Sequence, residues 1–183
     1  LAQSEALDVY YNQLNARTVV SIQQRVNIDE GWHWFTLFAG QGDITLEGIS
    51  VGFGEVQEIR SQTELLYNDP NYGFFGELKG MSWLDTYKFN VKTGQTINYL
   101  IPGIDNYRQD EVTKYYGPGW NWSGFPYCFN HSVSQIFAKS ELADGTRIVS
   151  KNDGFTELNS GKWAGTLETI KAGEGYLVYY PGN

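Results

Sequence analysis

Gly31-Trp32-His33-Trp34 (GWHW) and Gly119-Trp120-Asn121-Trp122 (GWNW) are two versions of one tetrapeptide, and they hold four of the six tryptophans in a chain of 183 residues. The second stands 88 residues after the first. At an offset of 89 a longer register appears. Ile59 aligns with Ile148, Ser61 with Ser150, Gly76 with Gly165, Leu78 with Leu167 and Tyr87 with Tyr176. Residue types match around these identities: Phe74 meets Trp163, Met81 meets Ile170, and Phe89-Asn90-Val91 meets Val178-Tyr179-Tyr180. One inserted or deleted residue accounts for the change of offset. An ordered series of matches at nearly constant spacing marks an internal duplication, because chance identities do not keep register.

Each copy reads as the same succession of elements. The Gly-Trp-x-Trp strand comes first. In copy two, residues 129–140 (FNHSVSQIFAKS) then read as a short helix, with Ser132 as N-cap and Val133, Ile136 and Phe137 at helical spacing. Copy one has a weaker version there, GDITLEGI (42–49). A strand follows, VQEIRSQ (56–62) or TRIVSKN (146–152), and then a stretch rich in turn residues, YNDPNYG (67–73) or NDGFTELNSG (152–161). FFGEL (74–78) or WAGTL (163–167) comes next, and TYKFNV (86–91) or GYLVYY (175–180) closes the unit. Copy one continues into an expected hairpin, YKFNV and INYLI around KTGQ (92–95).

The lead-in RTVVSIQQRVNI (17–28) sets Val20, Ile22, Val26 and Ile28 on one strand face, and EVTKYY (111–116) precedes the second Gly-Trp in the same way. Residues 4–14 admit two readings: a helix capped by Ser4, or the tail of a preceding unit, since LDVYYN resembles YLVYYPG. The expectation is therefore a mainly β protein of two tandem homologous units, each small, antiparallel and sandwich-like with at most one short helix. Residues 1–25 form a lead-in, 26–101 unit 1, 102–110 a polar connector and 111–183 unit 2. Neither unit holds a large core alone, so the two are expected to pack together with approximate two-fold symmetry.

Composition narrows the functional classes. Aromatics at 16% and 21 glycines suit pleated surfaces joined by tight turns. A net charge of −8, with 13 scattered Lys and Arg, argues against nucleic acid and anionic membranes as partners. No apolar run approaches the roughly 20 residues of a membrane helix, so no membrane insertion is expected. The one cysteine, Cys128 between Tyr127 and Phe129, reads as a small packing residue rather than a nucleophile. His33 and His131 lack a partner at metal-ligand spacing, and no calcium-loop pattern, nucleophile elbow or phosphate loop is present. No metal, cofactor or catalytic residue is expected. An asymmetric acid–base pair of carboxylates is not what two equivalent units naturally supply. Asn121-Trp122-Ser123 and Asn130-His131-Ser132 match the glycosylation sequon by composition alone.

The motifs resemble a repeat module of large secreted and cell-surface proteins from Bacteroidetes and other bacteria. The resemblance rests on Gly119 to Trp122, Ile59-Arg60-Ser61-Gln62, Trp163-Ala164-Gly165-Thr166-Leu167 and Gly173-Glu174-Gly175-Tyr176, and it spans about residues 26–183. Copy one departs from the pattern at His33, in place of Asn, and at Leu84-Asp85-Thr86-Tyr87, in place of Gly-x-Gly-Tyr. The resemblance implies an extracellular or cell-surface, non-catalytic module, used in tandem and attached to enzymes or adhesins.

Strand alternation puts Trp32 and Trp34 on one face and His33 and Phe35 on the other. Their recurrence favours tryptophans that anchor the core of each unit, over rings that stack on a sugar. The binding candidates then lie in the turns: Asp69, Asn71, Tyr72 and Phe74, with Asn68 beside them, in copy one, and Asn159, Lys162 and Trp163 in copy two. An aromatic platform beside amide, carboxylate or ammonium groups suits the CH faces and hydroxyl rims of sugars, and loops carry such sites. A polysaccharide or cell-surface glycan is the expected partner. A structural or protein–protein interaction (adhesion or spacer) role is the alternative.

Overall fold

A computed structural model of the chain describes residues 20–38, 44–95, 97–105, 114–138 and 140–182. The alternatives for residues 4–14 fall outside these. The described chain is mainly β and consists of two units of the same topology. Unit 1 carries a five-stranded antiparallel sheet in the order β2 (Gly31–Phe35), β8 (Tyr87–Val91), β4 (Val56–Arg60), β5 (Leu65–Asp69), β6 (Gly73–Gly76). Unit 2 repeats it as β10 (Gly119–Ser123), β16 (Tyr176–Tyr180), β12 (Arg147–Ser150), β13 (Phe155–Asn159), β14 (Lys162–Gly165). Each unit adds a two-stranded pair, β3 (Ile44–Thr45) with β7 (Gly80–Met81) in unit 1 and β11 (His131–Ser132) with β15 (Thr169–Ile170) in unit 2. Each has one short helix, α1 (Leu46–Gly52) or α2 (Val133–Ile136).

The helices start where the capping chemistry dictates. The Ser132 hydroxyl accepts from the Gln135 N–H and the Gln135 side chain returns to the Ser132 N–H, a complete capping box. Thr45 caps α1 through the Gly48 N–H. Copy one, expected to be the weaker helix, is the longer of the two, seven residues against four. Ile49 within it and Phe53 at its C-cap are both fully buried, and that packing outweighs the glycine at position 48.

Three expectations need correction. The turn-rich stretches contain the strands β5 and β13, whose hairpins turn only over residues 70–72 and 160–161. The segments 87–91 and 97–101 do not form a hairpin with each other. β8 lies between β2 and β4, while β9 (Ile97–Asp105) pairs antiparallel with β1 (Val20–Ile28). This β1–β9 ribbon crosses the expected boundary at residue 25 and runs through residues 102–105 of the expected connector. Val26 and Ile28 belong to the core of unit 1.

Each unit has its own core. Phe89, Ile59 and Leu66 lie side by side on the inner face of unit 1, fully buried with Ile49, Phe53 and Met81. Val178, Ile148, Tyr176 and Ile170 do the same in unit 2. The shared motifs have local causes. In the aromatic-x-Gly-x-Leu motif, the Leu65 carbonyl accepts from both the Glu77 and Leu78 N–H groups, and the Phe155 carbonyl from Thr166 and Leu167. A Cβ at Gly76 or Gly165 would lie 2.2 Å from that carbonyl oxygen. This bulge turns Leu78 and Leu167 into the cores. The Tyr87 and Tyr176 hydroxyls each accept from a backbone N–H five residues earlier, Ser82 and Lys171, both at 2.7 Å. The Ser61 and Ser150 hydroxyls close the turn after their strands by accepting from Glu64 and Asp153 N–H.

The units join through the free edges of β2 and β10. Along β2, the Trp34 carbonyl accepts from the Gly175 N–H and the Thr36 N–H donates to the Gly173 carbonyl at 3.0 Å. Along β10, the Gly124 N–H donates to the Leu84 carbonyl at 2.9 Å and the Ser123 carbonyl accepts from the Thr86 hydroxyl at 2.7 Å. Residues 173 and 84, and 124 and 36, are counterparts in the duplication, so the contact is isologous in form. Two further counterparts cap the edges. Gln62 donates to the Trp120 carbonyl and accepts from the Trp122 N–H, while the Lys151 ammonium donates to the Trp32 carbonyl.

At the join the copies differ in size. Thr36 and Thr86 of unit 1 pack onto Gly124 and Gly175 of unit 2. A Cβ at Gly124 would lie 2.1 Å from the Thr36 hydroxyl oxygen, and one at Gly175 would lie 2.5 Å from the Thr86 methyl. The departure from Gly-x-Gly-Tyr in copy one thus supplies the larger partner at a close approach. Gly175→Ala is expected to destabilise the protein by about 2 kcal/mol through overpacking. The double variant Thr86→Gly/Gly175→Ala should lose less than the sum of the single changes, with a coupling of about 1 kcal/mol in a urea-denaturation double-mutant cycle.

Candidate binding face

The inward residues of β2 are His33 and Phe35, so its tryptophans face outward. The expectation of core-anchoring tryptophans is corrected: Trp32 is 37% exposed and Trp120 47%, and Trp34 and Trp122 are half-buried. The cause lies on the other side of the strand. Phe35 packs on Phe89 and Phe53 at ring distances of 5.1 and 6.1 Å, and one face of a strand cannot be buried in the same core as the other.

Cross-strand register builds two outward rows. In unit 1 the row is Trp32, Asn90, Glu58, Tyr67, Phe75. In unit 2 it is Trp120, Tyr179, Arg147, Glu157, Ala164. The Arg60 guanidinium lies 5.2 Å from the centre of the Trp32 ring and is ion-paired with Glu58. Trp120 and Tyr179 are neighbours at 5.3 Å, their planes inclined by 60°. Arg147 bridges Glu157 and sits 5.1 Å from the exposed Phe155 ring. The hydrogen bond from Arg147 holds the Glu157 carboxyl below the usual carboxylate range.

The rows meet at the join. Lys88 of β8 places its ammonium 4.7 Å from the Trp34 ring centre and 4.1 Å from that of Trp122. These are counterpart residues, so one lysine fills a clamp made by the second tryptophan of each motif. Burial against the two indoles, and secondarily Arg60, lowers the pKa of Lys88. A cation over an aromatic face contributes about 0.5–2 kcal/mol, with the larger values where water is excluded.

The turn residues expected to bind do not converge. Asp69, Asn71, Tyr72 and Phe74 lie at the β5–β6 hairpin, and Asn159, Lys162 and Trp163 at the β13–β14 hairpin. These hairpins lie at the far edge of their respective sheets, away from the join. Tyr72 is 88% exposed. Phe74 and Trp163 turn inward and pack against the cores, Trp163 with Phe137 at 5.3 Å. The Asp69 carboxylate accepts from the Asn71 and Tyr72 N–H groups, which is turn chemistry. Asn68 is buried and donates to the Gly54 and Val56 carbonyls. Asn159 and Lys162 are exposed. The face composed of Trp32, Trp120, Tyr179, Arg60 and Arg147 was missed. Its signal was the alternation itself, together with the unbroken apolar inner set at 35, 59, 66 and 89, which decides which side of each strand turns in.

The differing pair at the centre of the motif has separate structural roles. The His33 ring approaches the Glu30 carbonyl at 3.4 Å. The Asn121 amide donates to the Gly117 and Gly119 carbonyls and accepts from the Gly117 N–H, tying down the entry to β10. The His131 ring lies 4.8 Å from that of Tyr127, inclined by 57°, the Asn130 side chain accepts from Ala172 N–H, and Cys128 is half-buried. Among the described residues no group of three His, Cys, Asp or Glu side chains is placed to hold a metal ion, and no helix is long and apolar enough to cross a membrane.

A concave site lies in unit 2. A groove of about 630 Å³ runs beside α2, lined by Tyr115, Tyr116, Phe125, Tyr127, Ile136 and Phe137 among others. The Tyr116 hydroxyl meets Ser123 at 3.0 Å, and burial raises its pKa to about 12. Lys114 beside it is bonded to Asp85 at 3.0 Å and to the Leu84 and Trp122 carbonyls. Burial lowers the Lys114 pKa and Asp85 opposes that shift. Comparison with family models, curated protein sequences and solved structures finds no match.

The tyrosine shift carries a pH dependence. An acid whose folded pKa is raised keeps its full stabilisation below its unfolded value, near 10, and loses it as pH rises towards about 12. Stability measured by urea denaturation is therefore expected to fall between about pH 10 and 12. Tyr116→Phe should lessen that fall, the remainder coming from the Tyr176 hydroxyl, whose pKa burial also raises, while costing about 1 kcal/mol at neutral pH for the lost bond to Ser123.

Proposed function

We propose that the protein is a non-catalytic extracellular binding module whose outward sheet face takes a polysaccharide or cell-surface glycan. The observation that carries this reading is the pair of outward rows that start at the exposed Trp32 and Trp120. Groups that bond hydroxyls share each row: Arg60, Glu58 and Asn90 near Trp32 in one unit, and Arg147 and Glu157 beyond Tyr179 in the other. Indole faces offer apolar area to sugar CH groups, and the flanking polar groups set orientation. Cell-surface placement rests on the resemblance of the motifs to tandem modules of secreted bacterial proteins. A second reading, a module that docks protein partners, is favoured by the apolar groove beside α2.

Affinity electrophoresis through gels containing soluble plant or microbial polysaccharides tests the glycan reading. At least one polysaccharide should retard the protein. Trp120→Ala and Tyr179→Ala should each weaken that retardation about tenfold while leaving the urea midpoint within the range of surface changes. Lack of retardation by every polysaccharide, or retardation indifferent to both changes, rejects this face as the site.

A further inference from the structure

We propose, on the glycan reading above, that Lys88 and Arg60 form a subsite on the outward face for the carboxylate of an acidic sugar, which narrows the ligand to a polysaccharide containing uronate. A second outward row lies two residues along each strand from the first. In unit 1 it runs Trp34, Lys88, Arg60, Leu65. In unit 2 it runs Trp122, Leu177, Val149, Phe155. The duplicated tryptophan begins both rows, and the next two positions differ in kind. Unit 1 sets two cations directly opposite each other on neighbouring strands, where unit 2 has two aliphatic side chains. Like charges directly opposed across an antiparallel pair destabilise it. Unit 2 fills the same place in the sheet with Leu and Val and avoids that cost.

Only one of the two cations is neutralised. The Arg60 guanidinium is ion-paired with Glu58 through Nε. Among the described residues no carboxylate or other hydrogen-bond acceptor pairs with the half-buried Lys88 ammonium, which lies between the Trp34 and Trp122 rings at 4.7 and 4.1 Å. Burial and the neighbouring Arg60 both disfavour its charge and lower its pKa. An incoming carboxylate opposes both effects, because it replaces lost hydration with a charge-assisted hydrogen bond and stands beside two like charges. The rings decide what carries that carboxylate. Trp32 is exposed with Arg60 5.2 Å from its ring centre, and Trp34 and Trp122 flank Lys88. A uronate has CH groups on the faces of its ring and its carboxylate at the rim. It can lay a face on an indole while its charge reaches the cations beside that indole. A neutral sugar leaves the two cations as they are. In unit 2 the same row offers Trp122 with no cation of its own, and Arg147 of the other row is paired with Glu157. The acidic subsite therefore belongs to unit 1.

The test follows the indole N–H signals of the 183-residue chain by NMR. The titrants are short oligomers of galacturonate, mannuronate and guluronate, the same oligomers with methyl-esterified carboxyls, and neutral oligomers from cellulose and xylan. At least one uronate oligomer should shift the signals saturably, and its ester should bind about tenfold more weakly. Lys88→Leu and Arg60→Val introduce the residues that copy two holds, so both variants should keep the fold, as read from the urea midpoint. Each should bring the affinity for the acid down to that for the ester and leave ester binding unchanged. Arg60 is exposed, so its variant still decides the matter if Lys88→Leu disturbs the join. Trp120→Ala should weaken acid and ester alike. Equal affinity for acid and ester, acid binding that survives both changes, or binding of neutral oligomers only overturns the proposal and leaves the glycan reading standing. No shift with any oligomer also overturns it, and the polysaccharide gels then decide the glycan reading separately.

Discussion

The molecule depends on how two sheet edges are closed. β2 and β10 each pair with one neighbour, β8 or β16, and each would otherwise present a free row of peptide groups. Such an edge is a template for unwanted pairing. Here the turn before the last strand of each unit lies along the first strand of the other, through backbone bonds at Gly173 and Gly175 on one side and Leu84 on the other. Gln62 and Lys151 cap the remaining positions. Each unit closes the other, which is a physical reason for the units to occur as a pair. The close approach also explains Gly175 in the closing motif of copy two, where a Cβ would lie 2.5 Å from the Thr86 methyl and 2.9 Å from the Phe35 backbone nitrogen.

Much of this was legible in the sequence, and the residues show why. The duplication, the strand set of each unit and the Ser132 cap follow from spacing and local chemistry. β5 and β13 were hidden because Asn and Asp inside a strand look like turn residues. Asn68 is tolerated there because it donates to the Gly54 and Val56 carbonyls of a neighbouring segment, bonds that propensity cannot foresee. The pairing of β9 with β1 instead of β8 is a long-range choice. Val26 and Ile28 gain burial in the core of unit 1, and β8 already has partners on both sides. The tryptophans were misplaced for a simpler reason. Period-2 alternation separates Trp32 from Phe35, but it does not say which of two aromatic faces turns inward.

The copies agree inside and differ outside. Ile59 and Ile148, Leu78 and Leu167, and Tyr87 and Tyr176 keep identity at equivalent buried positions. The outward rows keep only their tryptophan: Asn90 stands where copy two has Tyr179, and Glu58 where it has Arg147. A surface that bound two identical ligand units would keep both rows alike. The retained indole with changed neighbours suits a ligand whose successive portions present a common apolar face and different polar groups. The 60° inclination of Trp120 to Tyr179 adds that these adjacent rings do not make one flat platform.

The clamp at the join shows how divergence serves packing as well. The two second tryptophans are symmetric partners, and a symmetric pair of lysines would bring two ammonium groups into one partly dehydrated space. Like charges there would repel, and each would resist dehydration. Copy two has Leu177 at the position of Lys88. It lies opposite Trp122 in the sheet and contributes apolar area without a second charge. One lysine therefore satisfies both indole faces. Together with Thr36 over Gly124 and Thr86 over Gly175, this is a join between two similar units that works because they are not identical.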